Sequence, residues 1–276
     1  MAPKPKTVRA IHSNRGIEIR YRKALEELIK EMSNSAEYWL VAQYRKVPPQ
    51  TVRDVFIGDE LAQEVVIDIA EDALPAAEMA ARVREVSKRW IARFSDMADD
   101  IAKRFTSGAI KATDNSFQNA LKDAGWAVNF KMTRAMQDVA KASVVENVAL
   151  IKSIPQQYFT QVEGIVMRGY SSGRDLATIT EELQYRYGVT HRRAAFIARD
   201  QCNKLNADTV DARRAEIGIE EAEWMHSHGG KEPRKSHVAA DRKRYKIAKG
   251  CLIDGEYIKP GQKPGCRCTS RSILPF

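Results

Sequence analysis

Apolar residues recur at helical spacing through most of the first 217 residues, and this pattern constrains the fold more than any other feature. From Met79 to Phe105 the apolar positions advance in steps of three or four residues, which places them on one face of a long helix. Comparable stripes occur in residues 21–44, 128–149, 158–166, 176–187 and 194–210. The sequence therefore predicts a body built almost entirely of α-helices.

Glycine, proline and threonine residues suggest where these helices begin and end. Gly108 is predicted to end the helix that contains Phe105, and Pro155 to open a new one. Gly188 is predicted to end a helix before Thr190 caps the next. A proline pair at 48–49 follows the first helix or helix pair.

The helix that runs to about residue 217 carries both apolar and basic positions. Cys202 falls on its apolar stripe, which indicates a buried, unreactive thiol. Several arginines on this helix are expected to face solvent: Arg192, Arg193, Arg199, Arg213 and Arg214.

After Gly218 the pattern becomes short and rich in turns. A short polar helix is expected near 237–243, and strands are expected at 251–253 and 257–258. The predicted fold class is α+β, a mostly α-helical body with a small C-terminal α+β module. We divide the chain into a basic arm (1–15), a helical body (16–170) and a last region (171–276) whose helices run to about 217 and whose module covers 219–276.

Charge is concentrated at the two ends of the chain. Residues 1–15 carry four basic and no acidic side chains, and residues 224–276 carry twelve basic and four acidic ones. The remainder is slightly acidic, although the whole chain has a formal net charge of +9. Basic ends suit contact with DNA phosphates, and solvated basic tails are the alternative.

Several classes of protein are excluded by what the sequence lacks. No stretch approaches the roughly 18 apolar residues of a membrane span, and residues 1–15 have no apolar signal segment, so the protein is expected to stay inside the cell that makes it. There is no GxxxxGK[ST] loop, so the chain is not a packaging motor.

Histidine and cysteine residues cluster in the last 51 positions and suggest a metal site. His237, Cys251, Cys266 and Cys268 supply one nitrogen and three sulfur ligands for a tetrahedral zinc ion. Because the spacing is not that of a zinc ribbon or finger, ordinary thiols in a small core are the alternative.

The same residues allow an enzymatic hypothesis. His226 and His228 alternate along an expected strand, and His237 lies one helical turn from Asp241, which suits the orientation of a general base. A metal-dependent hydrolase or nuclease is therefore an alternative function, although HExxH and GxSxG motifs are absent.

The densest basic run surrounds this cluster and is the candidate nucleic-acid site. It consists of Arg234, Lys235, Arg242, Lys243, Arg244 and Lys246, with Tyr245 as its one aromatic residue. A solvated basic face is the alternative interpretation. A zinc-stabilised nucleic-acid-binding module is a third function that combines both sites.

The C-terminal region resembles the Mu F-like head-morphogenesis proteins of tailed bacteriophages. The resemblance begins in the helix 192–218 and continues through "EAEWMHSHGGKEPRKSHVAADRKRY", "KGCLIDGEYIKPG" and "PGCRCTS". The matching residues are Trp224, Pro233, Arg234, His237, Gly250, Pro260, Gly261, Cys266, Arg267 and Cys268. Where many members have Arg-Thr-Glu in the helix, this chain has Arg199-Asp200-Gln201, so any role of that acidic position either rests on Asp200 or is lost.

The resemblance implies a non-enzymatic, low-copy minor head protein. It implies a protein made in the host cytoplasm and assembled into the virion near the portal vertex, where it acts in procapsid assembly and in DNA packaging or delivery. The partners implied are the phage portal protein, capsid or scaffold proteins and packaged DNA.

Overall fold

Four long helices precede a small group of short strands. The computed structural model describes residues 6–48, 75–172, 175–230 and 232–275. The helices are α1 (Arg15–Lys46), α2 (Pro75–Asp123), α3 (Arg134–Ser171), α4 (Leu176–Glu216) and the short α5 (Lys235–Ala239). The strands are β1 (Glu221–Met225), β2 (Arg244–Lys246), β3 (Cys251–Ile253), β4 (Glu256–Ile258) and β5 (Thr269–Ile273). The predicted fold class is confirmed.

Three helix boundaries predicted from the sequence are wrong. Gly108 lies inside α2, Pro155 inside α3 and Gly188 inside α4. A helix tolerates an internal glycine at a cost of about 1 kcal/mol relative to alanine, and tertiary packing easily exceeds that amount. At Gly108, an added Cβ would lie 3.2 Å from Cδ1 of Ile17, so the missing side chain gives α1 room to approach.

Thr190 also has a different role from the cap that its position suggested. Its hydroxyl donates to the carbonyl of Arg186 at 3.0 Å, one turn earlier in the same helix. The start of α4 is capped by Asp175, whose Oδ1 accepts from the backbone N–H of Thr178 at 2.9 Å. This bond holds the pKa of Asp175 below its usual value.

Two of the apolar stripes are only partly buried. On α2, Met97 is exposed, whereas Ala98 and Ala102 are buried. The buried residue that follows Phe94 is therefore Ala98, four positions later, and not Met97, three positions later. On α3, Val145 is exposed and the buried positions are Ser143 and Asn147. These two polar side chains are hydrogen-bonded to Thr106 and Tyr21, which explains how they fit into the interior.

The described residues pack into two compact units that alternate along the chain. One unit comprises the described parts of Met1–Ala24, Ala98–Ala149 and Ala194–Phe276, and the other comprises those of Leu25–Met97 and Leu150–Arg193. These two units do not follow the division into arm, helical body and last region that was made from sequence patterns. That division stays a prediction. The second unit has a core that includes Leu25, Ile29, Met32, Phe94, Ile151 and Val162.

The strands of the first unit form a three-stranded sheet and a separate hairpin. The sheet is antiparallel with the order β2-β1-β5, and β3 pairs with β4. Trp224 in the central strand is fully buried, in a core that also contains Phe117, Leu121 and Tyr245. The module therefore shares one core with helical residues.

The described part of the basic arm packs against this sheet. Thr7 forms a bridge with Ile273, and the backbone N–H of Val8 donates to the carbonyl of Ser272 at 2.9 Å. Val8 and Ile11 are buried in the core, so these residues are not a solvated tail. Within the described residues, no helix is long and apolar enough to cross a membrane.

Candidate metal centre

Three of the four predicted metal ligands meet inside the C-terminal module. His237 is on α5, while Cys266 and Cys268 are in the loop that leads into β5. Nδ1 of His237 lies 3.5 Å from Sγ of Cys266 and 3.6 Å from Sγ of Cys268, and the three ligand atoms lie within 4.8 Å of one another. The exposed fractions are only 4% for His237, 3% for Cys266 and 7% for Cys268. We call these three residues the His-Cys-Cys cluster.

Cys251 is not part of this cluster. It lies in β3 opposite Ile258, where it is buried in the apolar core of the first unit. Burial raises the pKa of its thiol, as is usual for a cysteine among apolar neighbours. The structure therefore brings together one nitrogen and two sulfur ligands of the predicted set, and places the third sulfur elsewhere in the core.

The cysteine loop is attached to α4 by two polar side chains. Oδ1 of Asp200 accepts from the backbone N–H of Gly265 at 2.6 Å, and Nδ2 of Asn203 donates to the carbonyl of Cys266 at 3.2 Å. Asp200 also pairs with Lys204 at 3.0 Å. The acidic position that departs from the family pattern thus has an anchoring role in this chain.

Glycine is required where the loop passes close to the helix. Gly261 has a φ of +85°, and a Cβ there would lie 3.3 Å from both Cβ of Ala207 and the carbonyl oxygen of Asn203. A larger residue would be strained and would push the loop away from α4. This close approach sets the position of the cysteines that follow.

The two cysteine thiols share hydrogen bonds that favour charge on one sulfur. The Cys268 thiol donates to the Cys266 sulfur and, with the backbone N–H groups of Cys268 and Gly261, lowers the pKa of Cys266 below its usual value. The same interaction, together with burial, raises the pKa of Cys268. The pair therefore holds one thiolate readily, beside an imidazole nitrogen.

His226 and His228 form a separate group around Asp241. Oδ1 of Asp241 accepts from the backbone N–H of His226 at 2.8 Å, and Oδ2 lies 3.7 Å from Nε2 of His228. Both histidines follow the end of β1 rather than alternating along it, and Nδ1 of His226 accepts from the backbone N–H of His228. The expected His237–Asp241 pair is therefore wrong, because Asp241 holds the 226–228 turn.

All six residues of the candidate nucleic-acid site are exposed. They are Arg234, Lys235, Arg242, Lys243, Arg244 and Lys246. Arg244 and Lys246 lie on the edge strand β2, on either side of the buried Tyr245. Because Tyr245 belongs to the core, it has no exposed face for stacking on a base. Among the described residues, none of the six basic side chains has a carboxylate partner within salt-bridge distance, and Arg234 donates to the carbonyl of Pro264.

Two arginines expected in solvent are among the most buried side chains of the first unit. Arg213 binds both carboxylate oxygens of Asp114, at 2.7 and 2.8 Å, and donates to the carbonyl of Lys131. Arg214 donates to the hydroxyls of Ser270 and Ser272 on β5. The expectation was wrong because helical spacing does not reveal that carboxylate, carbonyl and hydroxyl acceptors converge on these positions.

Sequence reasoning also missed an amide that joins the arm to the module. Nδ2 of Asn206 on α4 donates to the carbonyl of Ile11, and that carbonyl also accepts from the hydroxyl of Thr269. No sequence signal pointed to this residue, because its partners are distant along the chain.

Comparison with known proteins agrees with the resemblance drawn from these residues. An uncharacterized protein of Haemophilus influenzae is 27% identical over 263 residues, which is 93% of this chain and 53% of the relative. The chain therefore spans about half the length of that curated relative. No solved structure matches the chain significantly. Residues 160–271, which contain the His-Cys-Cys cluster, match the family model described as Phage Mu protein F like protein, so the resemblance is confirmed for this region.

Proposed function

We propose that the protein is a minor head protein of a tailed bacteriophage that acts in head morphogenesis. The observation that carries this proposal is the match of residues 160–271 to the Phage Mu protein F like family. The matched segment includes all of α4, the strands β1 and β2, the first three residues of β5 and the His-Cys-Cys cluster. Assembly into the virion, near the portal vertex and with portal and capsid or scaffold proteins, follows from this family role.

The burial of the cluster supports a structural rather than a catalytic role for this module. A catalytic metal site keeps a position open to substrate, whereas a structural site is closed by protein. His237, Cys266 and Cys268 are each more than nine-tenths buried. The indole of Trp224 packs edge-on against the His237 imidazole, with 5.3 Å between the ring centroids. We therefore favour a module that presents a surface to partners over a hydrolase.

The six residues of the candidate nucleic-acid site, which we call the basic surface, support a position close to packaged DNA. Its six cationic side chains are exposed and lack carboxylate partners among the described residues, so their charge is available to phosphates. Contacts to phosphates carry no sequence information, which suits a protein that lies close to a whole genome.

The test is a premature stop codon in the phage gene for this chain, with the intact gene supplied in trans as the control. We expect infectious particles to be lost without complementation, and the chain to be found by mass spectrometry in purified procapsids and virions. Normal heads and normal titre without the chain would contradict the proposal. Hydrolysis of nucleic acid or peptide by the purified chain, abolished by chelation and by His237→Ala, would favour the enzyme instead.

A further inference from the structure

We propose that the His-Cys-Cys cluster binds a thiophilic divalent metal ion, zinc in the first place, through Nδ1 of His237 and Sγ of Cys266 and Cys268. This site goes beyond the proposed function, which assigns no metal to the chain. No side chain of the cluster fills the fourth coordination position, and the burial of all three ligands closes the site to substrate.

The distances within the cluster agree with tetrahedral coordination. With a Zn–S bond of about 2.3 Å and a Zn–N bond of about 2.0–2.1 Å, tetrahedral angles place nitrogen and sulfur about 3.6 Å apart. The two nitrogen–sulfur distances observed are 3.5 and 3.6 Å. Both nitrogen–sulfur distances therefore match those of a zinc site, and all three ligand atoms lie within 4.8 Å of one another.

Hydrogen bonds alone cannot satisfy both sulfur contacts of His237 Nδ1 equally well. A neutral imidazole nitrogen offers either one lone pair or one N–H, yet two sulfurs lie within hydrogen-bond distance of the same Nδ1. One of the two contacts must therefore be weak when only protons are present. A cation interacts favourably with the nitrogen lone pair and with both sulfurs at once.

The surroundings of the sulfurs suit metal-bound thiolates. The backbone N–H groups of Gly261 and Ser227 point toward Cys266 and Cys268, respectively, and stabilise negative charge on the sulfurs. The buried indole N–H of Trp224 lies beside Cys268 and favours negative charge on its sulfur. Donors of this kind orient metal ligands and tune their basicity.

The ligand types select the metal. Two thiolates and one imidazole favour zinc, and they also accept cobalt in the same geometry, whereas magnesium and calcium prefer oxygen ligands. Cys251 lies in β3 and is not among the ligand atoms that converge within 4.8 Å, so it supplies a matched control. It is a buried cysteine of the same module with no place in the proposed site.

The experiment is metal analysis of the full chain, purified under reducing conditions with zinc present and then freed of loose metal. We expect one zinc per chain in the wild type and in Cys251→Ser. We expect at least about tenfold lower zinc affinity in Cys266→Ser, Cys268→Ser and His237→Ala, since each change removes a ligand. Circular dichroism shows which variants remain folded.

A second measurement does not depend on the folding of any variant. Cobalt added to the metal-free wild-type chain is expected to give thiolate-to-cobalt charge-transfer absorption and the visible bands of tetrahedral cobalt. Zinc is expected to displace these bands. Absence of bound zinc and of the cobalt bands in folded, reduced wild-type protein would overturn the proposal. So would equal zinc loss in Cys251→Ser and Cys268→Ser, or a Cys266–Cys268 disulfide that persists under reducing conditions.

Discussion

Asp200 on α4 accepts a 2.6 Å hydrogen bond from the backbone N–H of Gly265, the residue directly before Cys266. This bond joins the helix to the cysteine loop across 65 positions of sequence. Asn203, almost one turn further along α4, donates to the carbonyl of Cys266. The helix therefore sets the backbone conformation of the loop that carries two members of the cluster.

Loss of the Asp200 side chain should loosen this loop. We expect Asp200→Ala to lower the free energy of unfolding by about 1–3 kcal/mol, because a partly buried backbone donor loses its acceptor. Asp200→Asn keeps an acceptor oxygen and should cost less. Urea unfolding measures the stability, and hydrogen exchange at the Gly265 amide reports the local effect. Unchanged protection of that amide in Asp200→Ala would contradict the anchoring role.

Arg213 should be far more important for stability than its place on a basic helix suggests. Its guanidinium is 1% exposed and binds both oxygens of Asp114. Arg213→Ala leaves that carboxylate without its main partner and should destabilise the protein by about 3–5 kcal/mol. Arg213→Lys should recover only part of the loss, because an ammonium cannot form the two-pronged contact. The exposed Arg192, changed to alanine, is the control and should shift stability by less than about 0.5 kcal/mol in urea unfolding.

Alanine substitutions at Gly250 and Gly255, which lie on either side of β3, should distinguish the cost of backbone strain from that of a steric clash. Both have positive φ, +88° at Gly250 and +80° at Gly255. A Cβ at Gly250 would lie 2.8 Å from the carbonyl oxygen of Ile258, whereas a Cβ at Gly255 meets nothing within 4 Å. We expect Gly255→Ala to cost about 1–2 kcal/mol, the penalty of the left-handed conformation, and Gly250→Ala to cost clearly more. Equal melting temperatures for the two variants would contradict this geometry.

The basic surface makes a prediction about salt dependence. Arg244 and Lys246 project from the edge strand into solvent, so the double change Arg244→Glu and Lys246→Glu should weaken DNA binding at every sequence. The slope of log affinity against log salt concentration should fall by about two, since two phosphate contacts are lost. Fluorescence anisotropy with a labelled duplex measures this slope. The control is the double variant Lys88→Glu and Lys152→Glu, which changes two other exposed lysines. It has the same net charge as the first double variant and should keep the wild-type slope.

Cys202 should be unreactive at neutral pH. Burial, helped by the nearby carboxylate of Glu18, raises its pKa to about 11. The neutral thiol therefore dominates below that pH, and alkylation of the native protein at pH 8 should be very slow at this position. Labelling should accelerate as pH approaches 11, or immediately on unfolding in urea. Peptide mass spectrometry resolves the four cysteines, and rapid native labelling of Cys202 at pH 8 would contradict the predicted protection.

Local patterns predicted the helical body, the change of pattern at Gly218 and the strands β3 and β4, because these depend on neighbouring residues. The same reasoning gave wrong helix breaks at Gly108, Pro155 and Gly188, where packing outweighs local propensity. It also expected an apolar position at Val145 where the structure buries Asn147. That amide donates to Gln201 and accepts from Tyr21, and neither partner is near it in sequence.

The sequence by itself determined the helical body and the small C-terminal α+β module, the family resemblance of the C-terminal region and the four candidate metal ligands. These are properties of residue type, spacing and order along the chain. Only the tertiary structure decided that His237, Cys266 and Cys268 converge while Cys251 packs elsewhere, and that Arg213 and Arg214 are buried. The reason is physical: coordination and burial depend on atoms brought together by long-range packing, and helical periodicity describes only one element at a time.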